Sequence, residues 1–200
     1  MIFVTVGSEL PFDRLIRAVD EWAGRTGRDD VVAQIGCGAE TPKHIDFVET
    51  LDPASYRDHC WGASTIIGHA GMGTILTALE MARPLLVMPR RAKFMETRND
   101  HQVATAKHFT QSTHIVAAMD EIALTAALEL VDDLPVPQRI NSFASLDLLE
   151  SVRAFISGAP MPSLQPSLTS ERDVLPFEAP LTHLDQDLKV SSDSEHRRAA

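Results

Sequence analysis

An α/β fold, a parallel sheet covered by helices on both faces, is what this 200-residue sequence predicts, and three observations predict it. Short, almost wholly apolar runs of β-branched and aromatic residues recur, as strands buried on both faces require. Between them, apolar residues return at spacings of three and four, the period of one face of a helix. The connections are short, so strand and helix alternate and the strands lie parallel.

Ile2-Phe3-Val4-Thr5-Val6 is the first strand, ended by Gly7-Ser8. It reads better as a strand than as a leader peptide, because no basic residue precedes it, its apolar run is short, and Glu9 and Asp13 follow closely. From Pro11 to Ala23, the residues Phe12, Leu15, Ile16, Val19 and Trp22 line one helix face. Val31 to Ile35 repeats the strand signature, and a short strand spans Asp46 to Glu49 after the loop GCGAETPKH. Asp52-Pro53 opens a short helix, with Pro where its missing N–H is tolerated. Ser64 to Gly68 is a buried strand, followed by His69-Ala70-Gly71-Met72-Gly73-Thr74 and the helix ILTALEMA. After Pro84 comes the strand LLVMP, then the loop RRAKFMETRND and the helical HQVATAKHF. His114 to Val116 is a last short strand, and Asp120 to Leu130 a helix. The class is Rossmann-like.

A final helix, from about Asn141 to Ile156, carries Phe143, Leu146, Leu149, Val152 and Phe155 on one stripe. Beyond it the pattern stops: five of the twelve prolines and a single aromatic, Phe177, fall in residues 158–200. Such a stretch buries too little apolar area to offset its ordering entropy. The expected organisation is therefore one domain over residues 1–157 and a disordered Pro/Ser/Asp-rich tail over 158–200, with LPFEAPLTHL as a short docking segment.

Composition narrows the function. A net charge of −10 repels polyanions and disfavours nucleic acid as a partner. Cys37 and Cys60 are too few for a disulfide framework and lack CxxC spacing, which points to a cytosolic, zinc-free protein. The longest apolar runs are too short to span a bilayer.

In open α/β sheets, ligands bind beyond the carboxyl ends of the strands. The glycines of His69-Ala70-Gly71-Met72-Gly73-Thr74 let backbone approach a phosphate at a helix N-terminus; they equally suit a tight turn. The spacing is neither GxGxxG nor GxxxxGK[ST]. His69 is placed to donate to a phosphate or act as a base, or to be a satisfied structural histidine. Gly7 and Ser8 can supply donors to the same ligand. Glu80 suits a ribose diol or an exposed helix face. Asn99, Asp100, His101 and Gln102 gather at a helix start, where an N-cap is the plain alternative. Arg90, Arg91, Lys93 and Arg98 form the dense basic loop of an acidic chain, fit for an anion or simply solvated.

The segments MIFVTVGS with PFDRLI, IIGHAGMGTILTALE, PLLVMPRR and RNDHQVATA resemble the C-terminal, nucleotide-sugar-binding domain of family 28 glycosyltransferases, over about residues 1–157. The likeness is nearest to the small catalytic subunits of split, two-chain enzymes, among them the eukaryotic dolichol-linked GlcNAc transferase and the rhizobial exopolysaccharide glucuronosyltransferase. It implies a single C-terminal-type half of a GT-B enzyme that binds a UDP-sugar without a tightly bound metal. The acceptor half would be a separate membrane-anchored subunit that recruits this chain to the inner face of the membrane. Position by position, the resemblance puts Gly7 and Ser8 on the phosphate side. It puts His69, Gly71, Gly73 and Thr74 at the diphosphate, Met72 entering through its backbone amide, and Asn99, His101 and Gln102 at the donor sugar. The loop near Leu51 would read the uracil. The family's ribose-binding Glu falls at Thr77, leaving Glu80 as a substitute or a surface residue. Inverting transfer needs a base and leaving-group donors; His69, the Gly71–Thr74 amides and Arg90 or Arg91 are the candidates for the leaving group, and the base can lie on the partner. The expected function is transfer of glucuronic acid or GlcNAc to a lipid-linked glycan in exopolysaccharide assembly, the alternative a non-catalytic nucleotide-sugar-binding or scaffold subunit.

Overall fold

The computed structural model describes residues 1–140, 143–144 and 146–160. The chain divides into two compact units, Met1–Ala144 and Ser145–Ala200. In the first, six parallel strands, β1 (Ile2–Thr5), β2 (Val31–Gln34), β3 (Asp46–Val48), β4 (Thr65–His69), β5 (Leu85–Met88) and β6 (Val116–Ala117), lie in the order β3-β2-β1-β4-β5-β6. Helices α1 (Asp13–Thr26), α2 (Pro53–Gly62), α3 (Met72–Glu80), α4 (His101–Ser112) and α5 (Glu121–Leu128) connect or follow them. The α/β, Rossmann-like reading therefore holds, with every expected strand present and its ends shifted by at most about two residues.

Alternation along β1 explains the two layers. Ile2, Val4 and Val6 face a core closed by Leu15, Ile16, Val19 and Trp22 of α1 and Leu124 and Leu128 of α5. Phe3 faces the other core, with Cys60 of α2, Ile75, Ala78 and Leu79 of α3 and Ala106 of α4. Each fully buried Val, Leu, Ile or Phe among them contributes roughly 1.5–3 kcal/mol relative to exposure. The helix ends follow local chemistry. Gly27, at φ 69°, closes α1 by donating its N–H to Ala23. The Asp52 carboxylate accepts from the amides of Ala54 and Ser55, with Pro53 opening α2 as expected.

Two helix starts differ most from the sequence reading. Helix α3 begins at Met72 rather than Ile75, so the glycine segment is itself the first helical turn. The final helix, α6 (Leu146–Ser157), begins later than Asn141. Just upstream, Ile140 donates its N–H to the Leu79 carbonyl at 3.3 Å and Arg139 Nε donates to the Glu80 carbonyl at 2.7 Å. The second of those bonds gives the Glu80 carbonyl, at the end of α3, a partner. In the second unit α6 ends at Gly158, at φ 68°. The docking segment LPFEAPLTHL and nearly all of the expected tail lie outside the described residues. Among those residues no helix is long and apolar enough to cross a membrane.

Candidate functional site

The strand order reverses direction between β1 and β4, so the loops leaving their carboxyl ends diverge and open a crevice. Thr5 of β1 pairs with Gly68 of β4, which puts the Gly7-Ser8 turn beside the His69–Gly71 turn. Between them lies the imidazole of His69. A Cβ on Gly7 would fall 2.7 Å from its Cε1, and a Cβ on Gly71 would overlap the same ring. Gly7 also sits at φ 82°, where other residues are strained. Both glycines are thus required by one histidine side chain.

His69 is largely buried and its Nδ1 has no hydrogen-bond partner. Burial, then the nearby positive charge of Arg90, pushes its pKa down to about 4, against a weaker upward pull from the Thr5 carbonyl. The ring is therefore neutral at pH 7. Its single N–H can serve either the Thr5 carbonyl or an anion; the ring offers no positive charge, and it is a weak base.

Gly71 is the N-cap of α3 and makes no side-chain capping bond. The first helical bond runs from Ile75 N–H to the Gly71 carbonyl at 3.1 Å, so the amides of Met72, Gly73 and Thr74 have no partner within the helix. Together with the helix dipole they form an anion-receptive end. Met72 is exposed, and a Cβ on Gly73 would meet nothing within 4 Å. Thr74 contributes backbone only: its side chain is buried, and its Cγ2 would lie 3.2 Å from a Cβ on Gly68. Thr77 is half-buried one turn on. Glu80 is not brought to the turn. It ends α3, about 12 Å of helical rise from Met72, with its carboxylate 3.8 Å from Arg57 Nη1 of α2.

The basic loop also departs from expectation. Arg90 is buried, and its guanidinium donates to the carbonyls of Val6 at 2.8 Å, Pro11 at 2.7 Å and Leu10, while stacking over Phe12. Arg91 donates to the Met119 carbonyl at 2.9 Å. Arg90 presents no free guanidinium fork to a ligand, and Arg91 commits one of its nitrogens; each ties loops together. Lys93 and Arg98 remain exposed. Downstream, Asn99, Asp100 and His101 are exposed at the start of α4. Asn99 Oδ1 accepts from the His101 amide at 3.1 Å, and Asp100 accepts from the Ala92 amide at 2.8 Å rather than capping the helix. Gln102 turns inward: its Oε1 accepts from the Arg90 amide at 3.1 Å. Through Gln102 and Arg90 the α4 start is linked to the turn after β1.

Sequence reasoning missed four residues here. Thr5 and Gln34 are buried polar residues at the carboxyl ends of β1 and β2, hydrogen-bonded to each other at 2.7 Å. The signal was there, a polar residue closing an otherwise apolar strand. Arg14 and Glu96 form a two-point ion pair, at 2.8 and 2.9 Å, that fastens the loop after β5 to α1. Their separation in sequence hides that pairing. Among the described residues no group of three or more His, Cys, Asp or Glu is arranged to hold a metal.

Comparison with known proteins agrees with this geometry. The profile of the glycosyltransferase family 28 C-terminal domain matches residues 1–133. UDP-N-acetylglucosamine transferase subunit ALG13 of Homo sapiens is 33% identical over 124 residues, 57% of this chain and 10% of that protein. The protein of the same name from Yarrowia lipolytica is 27% identical over 158 residues, 69% of this chain and 78% of that one. The chain thus spans about a tenth of the human relative. Among solved structures, the glycotransferase of kitacinnamycin superposes with a TM-score of 0.52 at 21% identity, over 67% of this chain and 35% of that one. Os79 from O. sativa in complex with UDP gives 0.51 at 14% identity, over 66% and 31%. These two likenesses speak for the fold.

Proposed function

From the chain's membership of the glycosyltransferase family 28 C-terminal domain family, we propose that it is the nucleotide-sugar-binding subunit of a two-chain glycosyltransferase that takes its sugar from a UDP-sugar. The observation that carries this reading is the uncapped start of α3, set beside the Gly7 turn across the neutral His69 ring. A diphosphate there meets three helix-end amides, a neutral imidazole N–H and the field of buried Arg90. That is the environment a departing UDP needs.

In the transfer, an acceptor hydroxyl oxygen bonds to the anomeric carbon as the bond from that carbon to the diphosphate oxygen breaks. UDP leaves, and the hydroxyl proton passes to a base. A histidine with a pKa of about 4 is poorly matched to that task at neutral pH. We therefore place the base on a membrane-anchored partner that also binds a lipid-linked glycan, with this chain held at the inner membrane face. The relatives' names, which call them subunits of a UDP-N-acetylglucosamine transferase, favour GlcNAc as the sugar. Of the loop cations that could meet a glucuronic acid carboxylate, Arg90 has its guanidinium committed to backbone carbonyls. The exopolysaccharide setting draws no support from those names.

Gly73→Asp is a clean test. A side chain at that position meets open space, and a carboxylate in the first helical turn favours the helix, so the fold should be retained. Its charge would oppose a diphosphate. Calorimetry should show UDP binding to the wild type and at least about a tenfold loss in the variant. Absence of UDP binding to the wild type together with its membrane partner would sink the reading.

A further inference from the structure

The turn after β1 is fastened at both ends by buried side chains. Gln34 Nε2 donates to the Gly7 carbonyl at 2.7 Å. Its Oε1 accepts from the Thr5 hydroxyl at 2.7 Å, and that hydroxyl accepts from the Gly7 amide at 3.3 Å. At the other end Arg90 takes the carbonyls of Val6, Leu10 and Pro11. Within the turn, backbone carbonyls are therefore drawn into the protein.

That has a consequence for the amides. All the described peptide bonds are trans, and in a trans peptide the C=O and the next N–H point in opposite directions. Drawing the Gly7 carbonyl onto Gln34 turns the Ser8 N–H away from Gln34, and Ser8 is exposed. The side chain at position 34 must accept from Thr5 and donate to Gly7 at once. A neutral amide does both; a carboxylate lacks the donor and an aliphatic chain lacks both.

We propose that Gln34 is a positioning residue: acting through the Gly7 carbonyl, it holds the Ser8 amide outward as a preformed receptor for a diphosphate, while Arg90 fixes the far end of the turn. This rests on the nucleotide-sugar reading above. The orientation is set during folding, so binding incurs no reorganisation cost.

The experiment follows the Ser8 amide by NMR in the ¹⁵N-labelled full chain, titrated separately with inorganic pyrophosphate and with UDP, in wild type, Gln34→Glu and Gln34→Met. The Ser8 resonance of the wild type should move with pyrophosphate. Both variants should stay folded by thermal unfolding, lose that response and bind at least about tenfold more weakly, the loss expected for one hydrogen bond to a charged group. Folded variants that bind like wild type would overturn the proposal, as would a wild-type Ser8 amide unmoved by pyrophosphate. Unfolding of both variants would assign Gln34 to sheet stability alone and overturn it too. A wild type that answers pyrophosphate through Ser8, but not UDP, would remove the nucleotide reading and support this one.

Discussion

His69 is where sequence, packing and pH meet in a single side chain. Its pKa is ordinarily 6.5 and falls to about 4 in the fold, through burial first and the Arg90 charge second. Between those values the unfolded chain binds a proton that the folded chain does not, so stability is complete above about pH 6.5 and is lost as pH falls toward 4. The loss from this group is on the order of 3 kcal/mol. His69→Asn should remove it: the stability difference between variant and wild type, from urea unfolding, should narrow as the pH drops from 7 to 4, whereas a pH-independent difference would refute the assignment. The sequence showed that a histidine precedes a glycine turn. It did not show why the glycines are there, because their demand comes from the His69 ring wedged between Gly7 and Gly71, residues far apart in the chain. The same holds for Arg90: as sequence it is one of a basic cluster, and only its burial against Val6, Leu10 and Pro11 shows it as a loop clamp.

At the scale of elements, strand and helix identity was legible because it depends on local periodicity: β1 is buried throughout, and α1 buries the residues its spacing selects. What escaped was set by long-range pairing. The loop after β5 reads as open and basic, yet Glu96 within it binds Arg14 of α1 at two points and accepts the Arg91 amide at 2.8 Å, with both side chains of the pair nearly buried. Arg14 also stacks over Phe94 in that loop. Removing one member of such a pair strands the other charge, whereas replacing both with apolar groups avoids that penalty. Glu96→Met should therefore cost roughly 1–3 kcal/mol, and the double change Arg14→Met with Glu96→Met should cost less than the sum of those two single changes. Urea unfolding of the four proteins closes that cycle; strict additivity would mean the pair does not fasten the loop.

For the whole molecule, the candidate site falls inside two boundaries. The family match ends at residue 133 and the first compact unit at Ala144, while every residue of the candidate site lies between Thr5 and Gln102. The site draws on neighbouring strands of one sheet, all within the first unit. The chain carries −10 overall. Residues 158–200 hold more acidic than basic side chains, so removing them makes the remainder less repellent to a diphosphate, by an amount that salt largely screens. Deleting residues 158–200 should accordingly leave UDP affinity unchanged or slightly stronger at low salt, and unchanged at about 0.15 M. Calorimetry of both chains at two ionic strengths decides it. A loss of affinity that persists at both would mean that the distal residues contribute contacts to the nucleotide site, and the site would then have to be redrawn beyond the sheet.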